Sequence, residues 1–161
     1  MTVEHPIPPL FDAQSKVLIL GSFPSVKSRE QAFFYGHPQN RFWRVIAAVF
    51  GEEVPQTVPE KKRLILSHHL ALWDVIARCE ISGSSDASIQ HAVPNDIGMI
   101  LRQCDIRAVF LNGKTAEKIY RRTLEKPLGF TATVLPSTSP ANAACGLEDL
   151  IARWSVIQQY C

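Results

Sequence analysis

Four short apolar runs limit what this chain of 161 residues can fold into. They are Lys16-Val-Leu-Ile-Leu-Gly21, Leu70-Ala-Leu-Trp-Asp-Val-Ile76, Arg107-Ala-Val-Phe-Leu-Asn112 and Phe130-Thr-Ala-Thr-Val-Leu135. A continuous apolar run of this length suits a strand covered on both faces, as in a parallel sheet. Between the runs the period changes to that of helices. Phe42, Ile46, Val49 and Phe50 fall at i, i+4, i+7 and i+8, which predicts a helix from about Arg41 to Phe50, stopped by Gly51. Pro59 suits the first turn of a helix over roughly Glu60 to His69. Asn95 reads as the cap of a helix bearing Ile97, Ile100, Leu101 and Cys104. A helix over Thr115 to Leu124 turns Ala116, Ile119 and Tyr120 inward, and Leu147 to Tyr160 closes the chain with a helical stripe. Strand and helix alternate without hairpin signals, and Cys79 to Asp86 reads as a polar loop. The expected fold is α/β: a three-layer α/β/α sandwich around a central, mainly parallel four-stranded sheet, as a single domain over residues 1–161.

Composition sets outer limits. A chain of this size buries roughly 70% of its unfolded surface, so it requires neither disulfide nor metal to fold. Cys79, Cys104, Cys145 and Cys161 are too far apart for a Cys-x-x-Cys knuckle, which argues against zinc and iron–sulfur sites. No metal and no cofactor is expected. No apolar run approaches the ~20 residues of a membrane span, and Met1 to Phe11 lacks the apolar segment of a secretory signal. A cytoplasmic, monomeric protein without a membrane partner is the expectation. The formal net charge of +2 neither demands nor excludes nucleic acid.

Open parallel sheets bind ligands beyond the carboxyl ends of their strands. In this chain the first strand delivers Gly21-Ser-Phe-Pro-Ser25 and then Tyr35-Gly-His-Pro-Gln-Asn-Arg-Phe-Trp43. The second delivers Asp74, the third Asn112 and Gly113, the fourth Ser137-Thr-Ser-Pro-Ala-Asn142. All four polar clusters land on one edge, which predicts a pocket there. The spacing shows no paired carboxylates for ordinary glycoside hydrolysis, no G-x-S-x-G elbow and no metal cluster. Neutral donors beside a flat aromatic suit recognition of a nucleobase by stacking and edge hydrogen bonds.

These residues also carry a family resemblance. In motif order, over nearly the whole chain, the sequence resembles the uracil-DNA glycosylase superfamily. Gly21-Ser-Phe-Pro-Ser25 looks like the first active-site motif. His37-Pro-Gln-Asn-Arg-Phe-Trp43 is similar to the segment that follows it in mismatch-specific uracil and thymine glycosylases. Ser137-Thr-Ser-Pro-Ala141 occupies the place of the second motif, the loop that enters DNA. Two departures separate the chain from the better-known branches. Phe23 stands where mismatch-specific enzymes carry their catalytic asparagine, and the second motif holds no histidine. The combination most resembles the hypoxanthine-DNA (deoxyinosine) glycosylase branch, which places a catalytic asparagine in the His-Pro-x-Asn segment, here Asn40.

The resemblance implies a monofunctional DNA glycosylase of base excision repair, acting on double-stranded DNA that contains deaminated bases. Asn40 would hold the attacking water. Tyr35, Asn112, Gly21, Ser22 and Phe23 would bind the flipped base. Ser137, Thr138, Ser139, Pro140, Ala141 and Asn142, with His37 and Arg41, would contact DNA. Two alternatives remain from the sequence: a non-catalytic damaged-DNA-binding module, or a glycosylase acting mainly on uracil or xanthine. Single residues keep plain structural readings as well. Asn40 could be a helix N-cap, Tyr35 a core residue, Arg41 a solvated cation and Asp74 a turn cap. Lys61, Lys62 and Arg63, at the wrong end of a helix for its dipole, could face an anion or only solvent.

Overall fold

The computed structural model describes residues 2–161. The four apolar runs become β2 (Val17–Gly21), β3 (Leu70–Asp74), β6 (Ala108–Asn112) and β7 (Thr133–Leu135). They pair in parallel in the order β3-β2-β6-β7. Every residue of β2 and β3 is buried, as continuous apolar strands between two helical layers must be. The register sets Gly21 beside Asp74 and Leu20 beside Leu111, so the carboxyl ends of β3, β2 and β6 are level. From β2 the chain moves first to β3 on one side and later to β6 on the other. The switch point therefore lies between β2 and β6, where Gly21 and Asn112 end their strands.

Helices cover both faces. After β2 come α1 (Val26–Gln31), α2 (Phe42–Val49) and α3 (Val58–Ser67). Thr57 and Glu60 close a reciprocal capping box on α3, with Pro59 in its first turn. Before β6 lies α4 (Ile97–Gln103), after it α5 (Lys114–Thr123) and the single turn α6 (Glu125–Leu128). The last helix, α7 (Leu147–Trp154), tightens into a 3₁₀ segment over Ser155–Tyr160, which shortens the single helix expected there. α2 and α7 pack through Phe42 and Trp154, edge to face with ring centroids 5.9 Å apart. α4 meets α6 on the opposite side, where Gly98 lies against Leu128.

Three expectations change. First, the second apolar run does not stay one strand. It breaks at Val75, and β4 (Ile76–Glu80) continues into an antiparallel sheet of order β1-β4-β5, with β1 (Thr2–Glu4) and β5 (Gln90–Pro94). Hairpin signals were weak because β5, Gln-His-Ala-Val-Pro, is partly exposed and β4 carries a bulged register. Second, Asn95 does not cap α4. Its Nδ2 donates to the carbonyls of Asp74 (2.9 Å) and Ile76 (3.1 Å), stapling the break between β3 and β4. Third, two cations of α3 rest on aromatic faces: Lys61 Nζ lies 5.3 Å from the Trp43 ring centre and Lys62 Nζ 5.9 Å from that of Phe33. Partial burial holds the Lys61 ammonium below its ordinary pKa.

Trp154 is fully buried, and its Nε1 donates to the Pro136 carbonyl at 2.9 Å, tying α7 to the loop after β7. Trp154→Ala should cost about 3–5 kcal/mol in chemical denaturation, because the cavity it opens cannot close without moving that loop. A loss below 1 kcal/mol would show that α7 is not part of the cooperative core.

Candidate active site

The carboxyl ends of β2, β3 and β6 and the loop after β7 enclose one cleft of about 990 Å³. Gly21, Ser22, Phe23, Tyr35, His37, Asn40, Asn112 and the residues from Ser137 to Asn142 all line it. Of the expected site residues only Arg41 stands behind its wall. The fold thus brings together side chains separated by more than a hundred positions, because level parallel strands end on a common edge.

Asn40 sits one residue before the position that opens α2, where Arg41 is the N-cap and offers no side-chain cap bond. The Asn40 side chain still serves the helix: its Oδ1 accepts from the Phe42 backbone N–H at 2.9 Å. The same oxygen accepts from the Thr138 hydroxyl at 2.9 Å. Thr138 Oγ1 in turn accepts from Asn112 Nδ2 at 3.0 Å, and Asn112 Oδ1 accepts from the Thr138 backbone N–H at 3.0 Å. A relay Asn112→Thr138→Asn40 therefore joins β6, the loop after β7 and the start of α2. Two backbone donors fix its direction, since only oxygens can face the N–H groups of Phe42 and Thr138. Asn40 is left presenting its Nδ2 donors to the cleft.

Two expected DNA contacts differ from their sequence reading. Thr138 is fully buried and turned inward to this relay. Arg41 is half-buried and turned toward the loop after β7. Its guanidinium donates to the carbonyls of Cys145, Ser139 (2.9 Å) and Asn142 (3.1 Å), and its Nε is buried without a partner. One cation thus gathers three carbonyls of the loop over Ser137–Cys145 and holds it against α2. Ser137 and Ser139 close local turns by accepting from the N–H groups of Ser139 and Ala141, and Asn142 Nδ2 donates to the Ser137 carbonyl. Pro140 and Ala141 remain at the exposed tip.

Tyr35 adopts a positive φ of 52°, a strained conformation for a residue with a side chain. Its ring stacks on Phe42 with centroids 4.0 Å apart and planes at 19°. The hydroxyl is buried without a hydrogen-bond partner. Burial first, and the Asp74 carboxylate second, push its pKa far above the ordinary phenol value, so it stays a protonated donor; the nearby Asn112 amide opposes that shift without closing a hydrogen bond. Gly21 has to be glycine: a Cβ there would lie 2.4 Å from Asp74 Oδ1 and 3.1 Å from Tyr35 Oη.

Sequence reasoning missed two partners. His5, in the lead-in segment, donates from Nε2 to Asp74 Oδ2 at 2.7 Å, while its Nδ1 accepts from the Ile7 N–H at 3.2 Å. Asp86, in the polar loop before β5, accepts from Ser22 Oγ with both carboxylate oxygens, at 3.1 and 3.0 Å. Asp74, Asp86 and Asp149 all line the cleft, so the structure does bring carboxylates into it, contrary to the sequence reading. No spacing signal could group them, because they arrive from the end of β3, the loop before β5 and the first turn of α7. Ser22 is committed to Asp86, and Phe23 packs edge-on against His5 at 5.9 Å. His37 lines the cleft and accepts from the Gln39 N–H through Nδ1. Among the described residues no three His, Cys, Asp or Glu side chains group as metal ligands.

The comparison with known proteins decides the family. The description "Uracil DNA glycosylase superfamily" matches residues 8–156, almost the whole chain. The chain belongs to the uracil DNA glycosylase superfamily. Within that superfamily it is 33% identical over 142 residues to a protein of Methanosarcina acetivorans named hypoxanthine DNA glycosylase, covering 87% of this chain and 89% of that one. A Methanosarcina barkeri protein of the same name is 31% identical over 138 residues, covering 84% and 85%. The fold is also that of a solution NMR structure from Methanosarcina acetivorans, described as a candidate uracil DNA glycosylase. It matches with a TM-score of 0.83 and 28% identity over 99% of this chain and 98% of that one. The α/β sandwich and the four-stranded parallel sheet are those of the superfamily, and the superfamily is one of DNA glycosylases. Among the described residues no helix is long and apolar enough to cross a membrane.

The Asp86 carboxylate faces inward although the residue as a whole is exposed. Desolvation raises its pKa above the usual carboxylate range, the Ser22 hydrogen bond opposes this, and the Asp74 charge adds to the rise. A raised folded-state pKa means the ionised form is penalised on folding. That penalty is absent below the unfolded pKa, grows as pH rises, and is complete above the folded one. Asp86→Asn should therefore raise the thermal midpoint at pH 7 more than at pH 4. An equal shift at both values would mean that the carboxylate is not desolvated.

Proposed function

We propose that this superfamily member is a monofunctional hypoxanthine DNA glycosylase, hydrolysing the N-glycosidic bond of a deaminated base in double-stranded DNA during base excision repair. The observation that carries this reading is the Asn112–Thr138–Asn40 relay, which takes up the oxygen of Asn40, a residue of the cleft wall, and leaves its Nδ2 donors without a partner among the described residues. A base inside a duplex cannot reach such a cleft, so the nucleotide is flipped out. The Tyr35 ring, backed by Phe42, offers a stacking platform. Asn112 has one Nδ2 hydrogen beyond the one given to Thr138, and this donor suits a carbonyl oxygen on the base edge. The names of the two Methanosarcina relatives support hypoxanthine as that base.

Asn40 acts by position rather than as a base. Its oxygen is consumed by Phe42 and Thr138, so it holds water by donating from Nδ2 to the water oxygen. The second lone pair of that oxygen remains free to add to C1′, and the proton the added water sheds matches the one the purine anion takes up to leave as neutral hypoxanthine. An oxocarbenium-like sugar is electrophilic enough that water needs orientation more than deprotonation. The departing purine carries negative charge across its ring, which fixed N–H and O–H donors of the cleft stabilise. The exposed tip Pro140–Ala141, on a loop pinned by Arg41, is the element suited to fill the gap left in the stack. The enzyme works as a monomer in this account.

Incubation with duplexes bearing single hypoxanthine, xanthine or uracil residues, followed by alkali, tests the reading. Strand cleavage should appear on the hypoxanthine duplex, with free hypoxanthine as the released base. Asn40→Ala should slow release by roughly 100-fold or more while keeping a cooperative melt, as removal of a single preorganised group does elsewhere. No cleavage of any duplex at stoichiometric protein would leave a DNA-binding module instead.

A further inference from the structure

Asp74 has a place in the cleft that neither the stacking platform nor the Asn40 relay uses. It is 4% exposed, at the carboxyl end of β3. One carboxylate oxygen, Oδ2, is held by His5 Nε2 at 2.7 Å. His5 is itself fixed as the Nε2–H tautomer, because its Nδ1 accepts from the Ile7 N–H. This hydrogen bond buries both side chains, at 3% and 6% exposure. The other oxygen, Oδ1, meets no donor among the described residues and borders the cleft over Gly21. A Cβ at position 21 would fall within 2.4 Å of Oδ1, so the glycine lets the carboxylate stand here with this oxygen uncovered at the cleft. The buried, unpartnered hydroxyl of Tyr35 converges on the same point.

We infer that Asp74 is a specificity-determining residue: its Oδ1 accepts the ring N–H of a lactam base edge while the neighbouring Asn112 amide donates to the adjacent carbonyl. The inference rests on the glycosylase reading above and extends it to how a deaminated base is told from its parent, hypoxanthine from adenine and uracil from cytosine. Deamination of adenine replaces an acceptor nitrogen and an exocyclic amine with an N1–H and a carbonyl. Cytosine undergoes the same reversal when it becomes uracil. An acceptor set beside a donor matches the lactam edge and faces adenine with a lone pair against a carboxylate. With the sugar held at Asn40, adenine cannot slide along the edge to exchange the two positions. The Asp74 contact falls on the six-membered ring, away from the N9–C1′ bond that breaks, so it persists from bound base to released base. His5 acts as a positioning residue: by occupying Oδ2 it turns Oδ1 into the cleft.

Two readouts test this. In the first, deoxyinosine, deoxyuridine and deoxyadenosine, which keep the sugar, are titrated into the wild-type protein and followed by NMR. Deoxyinosine and deoxyuridine should shift resonances around Gly21 and Asn112, and deoxyadenosine should not; equal response to deoxyadenosine overturns the inference without reference to excision. In the second, Asp74→Asn, which keeps the size and can still bond His5, is compared with wild type on hypoxanthine and adenine duplexes. The hypoxanthine rate should fall roughly 10- to 100-fold, with affinity for abasic duplex unchanged, as loss of an edge contact predicts. His5→Ala should cause a smaller loss on the same substrate. A hypoxanthine rate and a hypoxanthine-to-adenine ratio both unchanged in Asp74→Asn would overturn the role of Asp74. Absence of hypoxanthine excision by the wild type would instead sink the proposed function, and the titration would then decide Asp74 alone.

Discussion

The Thr138 side chain holds the site together. It donates to Asn40, accepts from Asn112, and its backbone N–H returns a bond to Asn112. All three partner atoms are neutral, so burial exacts no charge-desolvation cost, and each group leaves its partner unsatisfied if removed. Sheet topology makes the meeting possible. β6 delivers Asn112 at the switch point, β7 runs beside it and delivers Thr138, and the turn before α2 closes from the other side. The relay converts a fold-level fact, strands ending level, into the orientation of one amide.

A second constraint lies on the neighbouring strand pair. Gly21 and Asp74 face each other in register at the ends of β2 and β3. The absence of a Cβ at Gly21 lets a carboxylate approach the backbone closely. Asn95 then clamps the carbonyls on either side of the strand break at Val75. The same break that sends β4 into the antiparallel sheet thus fixes where Asp74 ends. That sheet also carries the segment leading to Asp86, so its role extends to the acidic wall of the cleft.

The parallel sheet was legible because continuous apolar runs can be covered on both faces in few other ways. The convergence of Gly21, Tyr35, Asn40, Asn112 and Ser137 on one edge followed from that sheet alone. The antiparallel sheet was not legible, since its strands are short, partly polar and bulged, and their pairing is set by contacts far apart in sequence. His5 and Asp86 were missed for the same reason: neither has a local pattern, and each acquires meaning only from Asp74 or Ser22. Arg41 shows the limit from the other side. A cation beside a DNA-binding motif reads as a phosphate contact, but three loop carbonyls within reach satisfy it better than solvent does. Asn40 was read both as cap and as site residue, and its oxygen does bind the first turn of α2, which is what frees its nitrogen to face the cleft.

The central claim is that Thr138 acts through Asn40. A double-mutant cycle on single-turnover release of hypoxanthine, with protein in excess over duplex, measures this directly. Thr138→Val should slow wild type about tenfold, near 1.4 kcal/mol, and should have almost no effect in the Asn40→Ala background, because the group it orients is already gone. An equal loss in both backgrounds would contradict the account.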